Sequence, residues 1–205
     1  MRVYDLTHVI RPGMPVYPGT VPPAVEPASS FERDGYRESA LSPWSHVGTH
    51  MDAPAHLFAD GATLDSLPPE RFAGPAALLD CRGARDVTAE MVSRLPLDRV
   101  RFVILRTGWE ARFGDPAYYE GFPVLTGDAA RLLARAGLYG VGVDAISVDP
   151  VGVPLVIHRI LLGAGMVNIE NLRGLDALPP EFELLALPLR FENADGAPVR
   201  ALARV

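Results

Sequence analysis

Between residues 76 and 144, short apolar runs alternate with amphipathic ones. Ala76 to Cys81 and Arg101 to Arg106 are strand-length apolar runs, and Gly140 to Asp144 is a third; runs of this length bounded by turn residues predict buried strands. Thr88 to Leu95 predicts a short helix that Thr88 caps. Thr126 to Ala136 sets apolar residues at helical spacing behind a good N-cap and stops at Gly137, which predicts a second helix. The order strand, helix, strand, helix, strand predicts a crossover unit with parallel pairing. Met166 to Glu170, Glu183 to Leu189 and Val199 to Val205 are three further expected strands.

The first forty residues break this pattern. Arg11-Pro-Gly-Met-Pro-Val-Tyr-Pro-Gly-Thr20, followed by Val21-Pro-Pro, predicts an extended or turning arm. Such an arm would wrap the core or pack on a neighbouring subunit. No repeat, low-complexity tract or linker divides the chain, so residues 1–205 are expected to form one α/β domain.

Composition narrows the chemistry. With 205 residues, 48% of them apolar, the chain can bury one sizeable core. All 19 basic side chains are Arg, which excludes a lysine Schiff base or lysine general base. The net charge of -6 and the lack of a basic stripe argue against a nucleic-acid partner. Cys81 is the only cysteine, so no disulfide or thiolate cluster is available and a metal would have to sit on His, Asp and Glu. Neither a signal-like start nor an apolar run of membrane-spanning length is present. A cytoplasmic protein with no membrane partner is the expectation.

Three of the five histidines fall within the run His46-Val-Gly-Thr-His50-Met-Asp52-Ala-Pro-Ala-His56. Gly48 and Pro54 disfavour a helix there. In an extended strand, residues 46, 48, 50 and 52 share a face, so His46, His50 and Asp52 would converge, with Gly48 leaving room for an ion. Imidazoles plus a carboxylate suit Zn, Mn, Fe or Co, and three protein ligands leave positions open for water, which marks a catalytic site. His8, standing alone, is expected only to pack or to be solvated.

The run His46-x-Gly48-Thr49-His50-x-Asp52-x-Pro54-x-His56 resembles the signature of the putative cyclase family, which includes bacterial kynurenine formamidases and isatin hydrolases. Asp5, Pro15-Val-Tyr-Pro-Gly19, Thr107-Gly-Trp109, Gly142 to Pro150 and Ala186-Leu-Pro-Leu189 extend the likeness over nearly the whole chain. Several motifs in the right order are far less accidental than one.

The resemblance implies a swivelling β/β/α fold, a mixed sheet core with outer helices, and a homo-oligomer, dimer or tetramer. It implies two divalent ions per subunit, zinc first and manganese second. His46, His50 and Asp52 would hold one ion, Asp52 would bridge to the other, and His158 and Glu170 would complete the pair. Without the family, His158 would pass for a buried structural histidine and Glu170 for a surface charge. His56 is implied as the acid/base. Tyr17 stands where kynurenine formamidases carry a substrate-contacting tryptophan, and Tyr17 and Trp109 are the candidate substrate contacts, with ordinary packing as the alternative for each.

The activity so implied is hydrolysis of an amide, formamide or lactam C–N bond in a small molecule by a hydroxide generated on the metal pair. N-formylkynurenine, giving kynurenine and formate, is the leading candidate substrate. A metal-dependent lyase or cyclase acting on a small carbonyl compound, or a metal-binding protein without turnover, are the rival readings.

Overall fold

The computed structural model describes residues 1–205. The strands are β1 (Val3–Asp5), β2 (Ala24–Ser29), β3 (Glu38–Ser42), β4 (His50–Asp52), β5 (Ala73–Asp80) and β6 (Asp86–Val87), then β7 (Phe102–Arg106), β8 (Val124–Leu125), β9 (Gly140–Val143), β10 (Val167–Glu170), β11 (Glu181–Pro188) and β12 (Gly196–Arg204). The helices are α1 (Phe31–Asp34), α2 (Ala89–Val92), α3 (Gly127–Arg135) and α4 (Val156–Gly163).

Eight strands form one mixed sheet in the order β1-β12-β11-β5-β7-β9-β10-β4. Strands β5, β7, β9 and β10 are parallel neighbours, and the remaining pairs are antiparallel. The sheet rolls up because β12 is long enough to serve two partners on one edge: Gly196–Pro198 pair with β4 and Leu202–Arg204 with β1. The β4–β12 pairing closes a barrel-like core.

Alternation along the strands sorts side chains into two cores. Leu78, Ile104, Gly142, Ile169, Met51 and Ala197 follow one another in register across five adjoining strand pairs, and the residues around them fill the barrel interior. Gly142 is required by that packing: a Cβ there would lie 2.6 Å from Ile104 Cδ1 and 2.7 Å from Leu172 Cδ1. The intervening Ala77, Val103, Leu105, Val141 and Val143 face outward and pack with Ala130 and Leu133 of α3 and Leu161 of α4. This is the expected mixed sheet with helices outside.

The crossover unit stands as the pattern predicts. Thr88 accepts the Met91 N–H at 3.4 Å and Thr126 the Ala129 N–H at 3.2 Å, the bonds expected of N-cap hydroxyls. Helix α2 ends at Val92, short of the expected Leu95, because the chain is already turning toward Pro96, which disfavours helix at the residue before it. The arm is not wholly non-helical, since Ser30 and Gly35 cap the single turn α1. Strand β1 joins the main sheet, β2 and β3 form a separate hairpin, and the intervening segment at Pro15–Tyr17 reaches the cavity described below. Helix α4 is not legible in the sequence, for its N-cap residue is Leu155 and no side chain of its own caps it. No helix is long and apolar enough to cross a membrane.

Candidate active site

Because Met51 and Ile169 point into the barrel, period two turns His50, Asp52 and Glu170 to its outer face. Antiparallel register sets Glu170 opposite His50. Helix α4 brings His158 over the same spot: His158 Nε2 lies 3.4 Å from Asp52 Oδ2 and 3.2 Å from Glu170 Oε1. His46 arrives from the loop before β4 and meets Asp52 Oδ1 through Nδ1 at 2.7 Å. His46 is therefore not on an extended strand with His50, as the spacing suggests; the strand begins at His50.

Gly48 also departs from its expected part. Its φ of +64° makes the turn that returns His46 to the cluster, and a Cβ would press on Met14 Cε at 3.1 Å. The free space serves the turn and the arm, and the Gly48 carbonyl accepts from His50 Nδ1 at 2.8 Å and from Asn171 Nδ2 at 3.0 Å.

One arrangement recurs at all three histidines. Each presents one ring nitrogen to the carboxylates of Asp52 or Glu170 and has the other held from outside. His50 is held by the Gly48 carbonyl, His158 by Asp149 Oδ2 at 2.7 Å, and His46 by Asp195 Oδ2 at 2.9 Å. Outer partners of this kind fix the tautomer and aim of metal-ligating imidazoles. Asp149 also accepts the backbone N–H groups of Ile157 and His158 at 2.9 Å each. From upstream it thus does for α4 what an N-cap side chain does.

The donors fit a metal. His46, His50 and Asp52 form one set, and Asp52, His158 and Glu170 another, with the donor atoms of each set within 4.8 Å of one another. Asp52 belongs to both, and its buried Oδ2 makes no well-formed hydrogen bond, only the 3.4 Å approach of His158 Nε2, which leaves it room to accept a cation. Burial works against charge on His46, but the hydrogen bonds its ring donates to Asp195 and Asp52 outweigh it and raise its pKa to about 10. Burial is likewise outweighed at His158, where Asp149, Asp52 and Glu170 raise it to about 12. Protons on these rings balance the carboxylates that a dication would otherwise balance.

A cavity of about 520 Å³ opens on this cluster, within the usual range for small-molecule sites. His56, at the end of the 3-10 turn Pro54–His56, lines it, with its ring centroid 4.1 Å from that of His46. Burial lowers the pKa of His56, with the neighbouring His46 and His158 adding to the effect against Asp52 and Asp195. Its Nδ1 lies 3.7 Å from Asp195 Oδ2. Tyr17 lines the cavity too, its hydroxyl accepting the Gly152 N–H at 3.1 Å.

Trp109 does not reach the cavity. Gly108, at φ +77°, makes the expected turn, but the indole then packs edge-on to Phe122 and donates through Nε1 to the Tyr118 carbonyl at 3.0 Å, so its role is packing in the outer core. His8 packs against Phe113 with ring centroids 3.7 Å apart. Asp149 and Asp195 were not foreshadowed by any motif role. Asp149 lies inside the recognised stretch Gly142 to Pro150, whereas the signal for Asp195 is only its neighbour Gly196, where a Cβ would strike His46 Cε1 at 2.5 Å.

Asp149→Asn is expected to keep the fold while weakening metal binding roughly 10- to 100-fold, the usual cost of losing an outer carboxylate partner. A competitive chelator titration would measure it, and unchanged affinity would remove Asp149 from the metal-supporting set.

Comparison with known proteins agrees with this architecture. Residues 4–150 match the family model described as putative cyclase. The kynurenine formamidase of Salinibacter ruber (strain DSM 13855 / M31) is 33% identical over 208 residues, covering 100% of this chain and 98% of that protein. The structure of an isatin hydrolase bound to the product analogue thioisatinate superposes with a TM-score of 0.88 at 27% identity, over 99% of this chain and 92% of that one. A predicted metal-dependent hydrolase from Bacillus stearothermophilus superposes with a TM-score of 0.82 at 30% identity, over 98% and 97% of the two chains. Sequence and fold agree, and the chain belongs to the putative cyclase family.

Proposed function

We propose that this protein is a metal-dependent hydrolase of amide C–N bonds, in a formamide, open amide or lactam, with His56 as its acid/base. The observation that carries the reading is the pair of three-donor sets sharing Asp52, with His56, a member of neither, facing the same cavity. The kynurenine formamidase and isatin hydrolase relatives support the bond type. His46, His50 and Asp52 would hold one ion and Asp52, His158 and Glu170 the second, with zinc or manganese suited to such donors. Divalent ions bound there supply Lewis acidity that polarises a carbonyl and acidifies water.

The chain's own part is positioning and proton transfer. The ring of His56 lines the cavity with its Nδ1 3.7 Å from Asp195 Oδ2, beyond hydrogen-bond distance, so a ring nitrogen is left to accept and return a proton. A lowered pKa keeps that ring neutral at pH 7, the state a base needs. The proton that His56 would take from the attacking water is the one it would deliver to the departing nitrogen as the C–N bond breaks. Tyr17, Ile146 and Leu155 give the cavity apolar wall, which limits bulk water around the scissile bond.

Elemental analysis of the purified protein, with assays of the same metal-loaded sample on N-formylkynurenine and isatin, tests the reading. The expected result is about two divalent ions per chain, as the two donor sets imply, and turnover of at least one compound with solvent oxygen in the product. Inertness to both, or a product free of heavy oxygen from labelled water, would overturn it in favour of a lyase or a binding protein.

A further inference from the structure

The cavity carries no permanently cationic side chain. None of its 18 lining residues is an arginine, although the chain has 19 arginines and no lysine. Its charged lining groups are the carboxylates and imidazoles of the metal cluster, and the remaining wall is largely apolar, with Val16, Tyr17, Ile146, Val153 and Leu155. Beyond the cluster and the anchored Tyr17 hydroxyl, the polar side chains of the lining are the uncharged Thr20, Ser45, Ser147 and Asn171, none of which neutralises a substrate carboxylate, and a buried charge without a counter-charge is disfavoured.

Trp44 lines this cavity and is 53% exposed. It follows Pro43 at the end of the β3 hairpin strand and stands two residues before His46. Its position is therefore tied through a short stretch of chain to the cluster itself. The other tryptophan is spent on packing, as its contacts with Phe122 and Tyr118 show. A half-exposed indole on the wall of a ligand cavity offers a large flat apolar face, and covering it with a planar ring gains both area burial and stacking.

We propose that Trp44 is a specificity-determining residue that covers the ring of an uncharged planar aromatic amide, and that the site selects such compounds over zwitterionic N-formyl amino acids. The proposal rests on the amide-hydrolase reading above, and Tyr17, anchored by its hydroxyl to Gly152, supplies a second aromatic surface to the same cavity.

Isatin, neutral and planar, and N-formylkynurenine, which carries an ammonium and a carboxylate, are the probes. With metal-loaded enzyme, kcat/KM for isatin should exceed that for N-formylkynurenine by on the order of a hundredfold. Trp44→Ala should raise KM for isatin about tenfold or more while changing kcat less than about threefold, and Trp44→Phe should restore most of the loss. In a Trp109→Phe background Trp44 is the only indole, so isatin should quench its fluorescence saturably. Preference for N-formylkynurenine, an unchanged KM in Trp44→Ala, or absence of quenching would each overturn the proposal. So would a change in sedimenting mass of Trp44→Ala without a change in KM, which would show that a second copy of the chain covers the indole. If neither compound turns over, the hydrolase reading fails, and the fluorescence titration still decides whether Trp44 meets the ring.

Discussion

Asp52→Asn is expected to abolish metal binding at the donor sets it shares and to lower kcat/KM by on the order of a thousandfold or more, beyond the roughly 10- to 100-fold cost of losing an outer partner. Asp52 is the one carboxylate common to the two donor sets. An amide of the same shape offers one neutral oxygen where two charged ones are needed, and it cannot offset two dications. The substitution preserves volume beside the barrel, and His46 retains its bond to Asp195 and His158 its bond to Asp149, so the rings stay in place.

Two measurements separate this outcome from simple unfolding. Circular dichroism of the variant should match the chelated wild type. A ligand that binds only the folded state raises its stability by mass action, so chelation should lower the Tm of the wild-type protein and leave that of Asp52→Asn unmoved. A variant that keeps its full metal content would show that Asp52 is not a ligand and would remove the basis for a bridged pair.

How far the sequence discloses this site depends on the range of the interactions that build it. The β5-α2-β7-α3-β9 stretch is legible because its signals are local: apolar runs, Thr88 and Thr126 as caps, Gly137 as a stop. Strand β4 is legible only as extended chain over residues 46–52, and its true start at His50 is not, because its bounds are set by partners more than a hundred positions away in β10 and β12. Helix α4 hides for a similar reason. It opens with Val156 and Ile157, residues at home in strands, and its cap comes from Asp149, outside the helix.

The ligand candidates divide in the same way. His46, His50, Asp52 and His56 announce themselves by density in one short run, whereas His158 and Glu170 are indistinguishable locally from core and surface residues and become visible only through the family likeness. Asp195 lies 149 positions from His46, so no spacing rule connects them. Trp109 is the opposite case: Thr107-Gly-Trp109 predicts the turn that Gly108 makes, but turn chemistry does not say to which side the ring falls, and the indole packs in the outer core.

His56→Ala is expected to leave metal content intact and to reduce kcat by roughly 10²- to 10⁴-fold, the range attributable to one positioned acid/base. The competing assignment has a definite structural basis, because His46, His56 and Asp195 form a third set of donors within 4.8 Å. If an ion occupied that set, His56→Ala would lose metal and activity together, and the division of roles drawn here would be wrong. The pH profile distinguishes the cases a second time. His56 must be neutral to accept a proton, and burial holds its pKa below the ordinary imidazole value of about 6.5. Wild-type kcat/KM should therefore fall as pH drops below that value, as the ring takes up its proton. The variant should lose the part of that acid limb belonging to this ring, whereas loss of metal by protonation of His46, His50 or His158 would persist in both proteins. Coincident acid limbs in wild type and His56→Ala would place the titration on the ligands and take the proton-transfer role away from His56.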